Sequence, residues 1–162
     1  MLKKITVLLL IIFAFKGCTR DDICSEGTAT TPLLIITFKD ILNPTNSKKV
    51  VKLSIETDYI NPVSILPQTD TDSIAIPLST TSDTSKFSFI KRINDTVVNV
   101  DKLMFLYTRN NSYVNRACGY KAEYDNLVES LENEAGGNWI LNVQVKRDTV
   151  KDENEAHVTI LH

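Results

Sequence analysis

The chain has 162 residues, 43% of them hydrophobic and 23% charged, with a formal net charge of −2. That apolar content suits a folded domain rather than a disordered tail. The acidic balance excludes the basic footprint of a nucleic-acid-binding protein and a polybasic membrane contact.

The N-terminus reads as a targeting segment. Lys3 and Lys4 supply positive charge, residues 5–15 are apolar but for Thr6, and Gly17 precedes Cys18. This is the layout of a secretory signal. The apolar run is shorter than the roughly 20 residues a spanning helix needs. The ending resembles a lipobox, in which the Cys18 sulfur is acylated and the chain is cut before it. Phe15 and Lys16 depart from the aliphatic and small residues usual there. An ordinary secretory signal with an incidental cysteine is the alternative. Cleavage removes three lysines and no acid, leaving 15 basic against 20 acidic residues, a formal charge of −5. Anchoring to the membrane would then fall to the lipid, at ~0.8 kcal/mol per buried CH₂.

Three cysteines are an odd number for an exported chain. Acylation of Cys18 leaves Cys24 and Cys118, which an oxidising compartment would join. Two free buried thiols are the alternative. No C-x-x-C motif is present, and Cys and His are too few for a structural zinc site.

Residues 1–17 are thus expected as signal peptide, 18–32 as a polar tether and 33–162 as one domain. Leu33 to Phe38 is a continuous apolar run, fit for an interior strand. Val51, Leu53 and Ile55 alternate with polar residues, as do Ile74, Ile76 and Leu78, where Pro77 suggests a sheet edge. Phe87 and Phe89 flank Ser88, and Asn94-Asp95 reads as a turn before residues 96–100. Leu103, Phe105 and Tyr107 alternate. Cys118, Tyr120, Ala122 and Tyr124 share one face, which puts Cys118 on the core side. Asn126 to Glu129 reads as a capping box, with Leu127 and Leu131 on one helical face and Gly136-Gly137 as the stop. Leu141, Val143 and Val145 alternate, and Val158 and Ile160 close the chain. Eight or so short strands predict an all-β fold, an immunoglobulin-like antiparallel β-sandwich with one short helix. A closed barrel is the competing architecture.

No catalytic constellation stands out. His157 lies opposite Val158 and Ile160 in the alternation, facing solvent or a sheet edge, and His162 is the last residue. There is no G-x-S-x-G elbow to support a triad through either histidine. Asp70-Thr71-Asp72 and Asp152-Glu153-Asn154-Glu155 could offer carboxylates to calcium, but solvated loops explain both. No pair of acids is singled out for glycoside hydrolysis. Trp139, Tyr107, Tyr113, Tyr120 and Tyr124 could stack on sugars. Alternation favours core packing for most of them, with Tyr113 the best exposed candidate. Asp72-Ser73-Ile74, Asp95-Thr96-Val97 and Asp148-Thr149-Val150 resemble an O-glycosylation site of exported Bacteroidota proteins.

Cys18-Thr19-Arg20-Asp21-Asp22-Ile23-Cys24, then Glu26, Thr28, Thr30-Thr31-Pro32 and the strand from Leu33, resemble an uncharacterised family of Bacteroidota lipoproteins. Cys118-Gly119 fits the same family. The resemblance implies export and lipidation, and no reaction, because the family is a domain of unknown function. Asp21 and Asp22 also resemble the acidic signal that sends such lipoproteins to the outer leaflet. A solvated tether, or an acid pair belonging to the domain near Cys24, would explain them as well. The expected protein is an outer-membrane lipoprotein, periplasmic or surface-exposed. It is expected to be a non-enzymatic binding or structural module with no cofactor, metal or nucleic acid. Its expected partners are the membrane, through the lipid, and an envelope protein or glycan. A glycan hydrolase and an accessory subunit of an outer-membrane complex are the alternatives.

Overall fold

The computed structural model describes residues 23–28, 30–94 and 96–162. The expectations for Cys18, Asp21, Asp22 and Asp95 lie outside the described residues. Nine strands follow in order: β1 (Leu34–Lys39), β2 (Val50–Thr57), β3 (Ser64–Thr71), β4 (Ser73–Ile76), β5 (Thr84–Arg92), β6 (Val98–Asn115), β7 (Gly119–Leu131), β8 (Asn142–Val145) and β9 (Val158–Leu161). They form two sheets, ordered β4-β1-β9-β8 and β3-β2-β5-β6-β7. β1 runs parallel to β9, and the β1–β4, β2–β3, β2–β5, β5–β6 and β8–β9 pairs are antiparallel. The fold is all-β, with two sheets packed face to face.

The chain divides into two compact units. The larger comprises Thr31–Asn111 and Ala122–His162. Its core follows from period-two alternation, which sends every second side chain inward. Leu34, Ile36 and Phe38 of one sheet and Leu53, Ile55, Phe87, Phe89, Leu103 and Phe105 of the other are buried in one cluster. Each such side chain contributes about 1.5–3 kcal/mol of hydrophobic stabilisation. β4 is an edge strand, as Pro77 immediately after it suggests, and Pro67 lies in the other edge strand, β3. Neither proline breaks an interior ladder.

The smaller unit takes in the described residues before Thr31 together with Ser112–Lys121. Cys24 and Cys118 form a disulfide there, with Cα atoms 4.9 Å apart and 94 residues between them in sequence. The Asn115 side-chain oxygen accepts the Ala117 and Cys118 N–H groups, closing a turn that Gly119 leaves with φ +71°. The disulfide is not buried as expected: Cys24 is exposed and Cys118 half-buried. Tyr120 also departs from the expected core face and is 70% exposed. The inward alternation of β7 begins only at Ala122, where the larger unit resumes.

The expected helix at Asn126 is a strand. Its backbone donors are taken by a neighbouring segment instead of the preceding turn. Tyr124 and Val150 exchange both N–H···O bonds at 3.1 and 2.7 Å, and Leu127 N–H donates to Asp148 O at 2.8 Å. Asn126 takes a left-handed φ of +57° as a single residue in β7, which asparagine tolerates best among non-glycine residues. Tertiary pairing therefore overrides the local capping pattern. Among the described residues no helix is long and apolar enough to cross a membrane.

Candidate functional site

Among the described residues, recesses on the larger unit include three with polar or charged walls. The first, of about 420 Å³, lies past the end of β4 and at the start of β5, over an apolar floor of Ile65, Leu78 and Phe87. Its walls carry the hydroxyls of Thr57, Tyr59, Ser79 and Ser85. Behind it, Ser85 Oγ and Tyr107 OH are 2.6 Å apart, Tyr107 OH donates to Ser79 O, and Tyr124 OH donates to Leu78 O. Burial pushes the Tyr124 phenol up to about 12, so it stays a neutral donor. The second recess, about 250 Å³, holds Asp58, Glu132, Lys86 and Lys102. Lys102 pairs with Asp58 at 3.3 Å, which raises the lysine above its usual range.

The third recess, about 420 Å³, lies beside Trp139 and is lined by Val51, Lys52, Lys91, Arg92, Ile93 and Asn99. It is the candidate site, because Lys52, Lys91 and Arg92 line one recess with Trp139, and Lys91 lies over its ring. Trp139 is held on three sides. Its Nε1–H donates to Phe89 O at 3.2 Å, and the Phe38 and His162 rings pack against it at 6.4 and 5.8 Å. The Gly136-Gly137 pair expected to stop a helix makes the turn before it, with Gly137 at φ +84°. Asn99 Nδ2 donates to Gly137 O at 3.1 Å and ties that turn to β6.

Lys91 follows Phe87 and Phe89 on the inward face of β5, and its Nζ lies 5.3 Å from the Trp139 ring centroid. That is a cation–π contact. Burial pulls the ammonium below the ordinary lysine range; the charge on Lys48 adds to this and Asp101 opposes it. Lys52 sits at an irregularity in the β2–β3 register with φ +52°. Asp70 Oδ1 accepts its backbone N–H at 2.7 Å and fixes that bulge. Arg92 Nε donates to the neutral amide oxygen of Gln68 at 2.9 Å.

Asp101 lies on the inward face of β6 and is fully buried. Its Oδ2 accepts the Ile140 N–H at 2.7 Å, which pins the Trp139 segment from below. Its Oδ1 has no hydrogen-bond partner among the described residues. Burial pushes this carboxyl above the usual range, against the Ile140 N–H and Asn138, which favour the charged form.

The residues singled out from sequence are dispersed. His157 is not at the surface: it is fully buried, its Nδ1 accepts the Ile35 N–H at 3.1 Å, and its own N–H donates to Ile35 O. The ring replaces a ladder bond between β1 and the segment before β9, and burial pulls its pKa down. His162 is also buried, with Nε2 3.1 Å from Lys48 O. Asp70 holds the Lys52 bulge. Asp152 makes a two-pronged ion pair with Arg147, and Glu153 accepts the Leu33 N–H. No group of three or more His, Cys, Asp or Glu among the described residues is placed to hold a metal ion. Tyr107, Tyr124 and Trp139 are buried, while Tyr113 and Tyr120 form an exposed edge-on pair at 5.3 Å. Sequence reasoning passed over Lys52, Lys91, Arg92 and Asp101. A legible signal existed for two of them: Lys91 and Asp101 continue the inward alternations of Phe87-Phe89 and Leu103-Phe105-Tyr107 with charges.

One protein-family model matches residues 50–162. The chain belongs to that family, DUF6452, a family of unknown function. The DUF6452 match contains β2 to β9 and every residue of the Trp139 recess, and leaves out β1 and Cys24. No curated protein and no solved structure matches the chain.

Proposed function

We propose that this DUF6452 protein is a lipid-anchored, non-enzymatic binding module of the cell envelope. Acylated Cys18 holds it to the outer membrane of a Bacteroidota-type cell, in the periplasm or at the surface. The order of charge, apolar run and small residue before Cys18 supports export. The Cys24–Cys118 disulfide supports an oxidising compartment. The observation that carries the binding reading is the Trp139 recess, where Lys52, Lys91 and Arg92 line one opening beside an aromatic ring that Phe89, Phe38 and His162 hold in place. Rigid elements hold a binding constellation more accurately than loops do.

The test is to titrate the full chain with solubilised envelope glycans, following Trp139 fluorescence and the glycan chromatogram together. A saturable fluorescence change with unaltered glycan is expected. Shortened glycan would replace this reading with hydrolysis, and Asp58 and Glu132 would be the first acids to mutate. A role as an accessory subunit draws on a different feature, the exposed Tyr59, Ile60 and Val63 between β2 and β3. Exposed apolar clusters mark partner surfaces. A photocrosslinker at Ile60 that captures one outer-membrane protein in intact cells would favour that role.

A further inference from the structure

We infer that the Trp139 recess binds a phosphate monoester, with Lys52, Lys91 and Arg92 taking the dianion and the Val51–Ile93 rim taking the group that carries it. This deepens the binding-module reading and rests on it.

The charges are placed there at a cost. Lys91 occupies an inward position, so its ammonium is half-buried beside Trp139 with no carboxylate in ion-pair range among the described residues. Asp101 acts on this desolvated cation only from beyond ion-pair range, and a bound anion would lower the remaining penalty. Lys52 is held in a left-handed backbone conformation, which is strained for an L-residue. Strain of this kind gathers at binding sites, and bulges re-aim side chains. Arg92 is oriented through Nε by a neutral partner, and its terminal amino groups make no hydrogen bond among the described residues.

The surrounding acids do not cancel these charges. Asp40 is engaged by Lys48 at 3.2 Å. Asp101 is buried, its Oδ2 is engaged by the Ile140 N–H, and burial pushes its carboxyl above the usual range. Asp70, on the β3 side, is engaged by the Lys52 backbone N–H. His162, behind Trp139, is pulled toward its neutral form. A positive site thus persists in an acidic chain, so it is a local arrangement rather than part of a general basic field.

Three cations suit a doubly charged group better than a carboxylate, and a phosphate monoester carries about −1.5 to −2 near neutral pH. The recess, at about 420 Å³, is larger than a bare phosphate needs and falls in the size range of small-molecule sites. Val51 and Ile93, 52% and 61% exposed, give its rim an apolar character. A phosphate on an apolar or sugar carrier matches both halves. Such a group occurs on soluble metabolites and on lipid headgroups.

The experiment is amide and indole NMR of the full-length chain in detergent. It is titrated with inorganic phosphate, with phenyl phosphate, with phenol as the neutral control, and with phosphatidylcholine vesicles with and without phosphatidic acid. Both soluble phosphates should shift the Lys52, Arg92 and Asn99 amides and the Trp139 indole, and phenol should not. Lys91→Gln should weaken binding about tenfold, the loss of one charge-assisted bond. Lys52→Gln is the second variant should Lys91→Gln disturb the spectrum as a whole. Lys86→Gln, outside this recess, should change nothing. Response to phosphatidic acid vesicles but not to phenyl phosphate would assign the phosphate to a lipid. No localised response to any phosphate probe, or equal weakening by Lys86→Gln, would overturn the inference. A neutral glycan that shifts the Ser79–Ser85 groove, without a phosphate response, would overturn it while the binding-module reading stands.

Discussion

Asp101 gives the sharpest stability prediction. Its Oδ2 accepts the Ile140 N–H inside the sandwich, while Oδ1 is buried without a partner. Asp101→Ala removes the acceptor and strands a buried N–H, which costs about 1–3 kcal/mol. The small cavity adds to that loss, and removal of a desolvated charge subtracts from it, so a net loss of about 2 kcal/mol is expected. Asp101→Asn keeps an acceptor for Ile140 and abolishes ionisation. The folded-state pKa of Asp101 lies above its unfolded value of about 3.9. Stability from the protonated form is therefore complete below that value and lost as pH rises through the folded pKa. The wild type should match Asp101→Asn near pH 4 and fall behind it with rising pH, by at most about 1.4 kcal/mol per pH unit. Urea unfolding from pH 4 to 8 reads this directly, because Trp139 is the single tryptophan and packs on the pinned segment. Asp101→Asn less stable than wild type at pH 8 would refute the reasoning. It would mean that the Asp101 charge is favourable, through Lys91.

Reducing the Cys24–Cys118 bond, or replacing both residues by Ser, should lower stability by about 4–5 kcal/mol in the chain-entropy treatment of so long a loop; equal urea midpoints with and without reductant would contradict that. His157 and His162 are both pulled below their ordinary range by burial, so the unfolded chain takes up protons first as pH falls. Stability should hold above about pH 6.5 and decline below it, by up to about 1.4 kcal/mol per pH unit for each histidine. Measurement in the Asp101→Asn background isolates this slope, and His157→Gln should remove part of it. Lys52→Gly should relieve left-handed strain and stabilise the fold by about 1 kcal/mol, while weakening phosphate binding in the NMR titration. Asn126→Val should destabilise β7 by about 1–2 kcal/mol in urea unfolding for the same backbone reason.

The sandwich was legible because alternation reports burial one residue at a time. Val51-Leu53-Ile55, Ile74-Ile76 and Phe87-Phe89 each point to the face that the sheets cover, although Val51 itself turns outward at the bulge. Alternation carries no information about what covers a strand. Tyr120 therefore read as core, and His157 read as exposed although it lies beneath β1. The Asn126 segment read as helix because its capping pattern is local, while the Asp148 and Val150 carbonyls that capture its N–H groups are more than 20 residues away. Cys24 and Cys118 could be paired by parity alone, without any geometry. The recess was not read, because its residues come from β2, β5, β6 and the turn before Trp139, and only the packed sheets bring them together. Lys91 and Asp101 were nonetheless visible as charges in inward registers. Such a residue in an alternating strand marks a place where the fold bears a cost.

The most direct measurement is the intact mass of the protein extracted from membranes, with peptide mapping of its cysteines. Export and anchoring predict a chain that starts at an acylated Cys18 and carries an oxidised Cys24–Cys118 pair. A chain that retains Met1, or one in which Cys18 is unmodified or takes part in a disulfide, would contradict the envelope assignment on which the binding role rests.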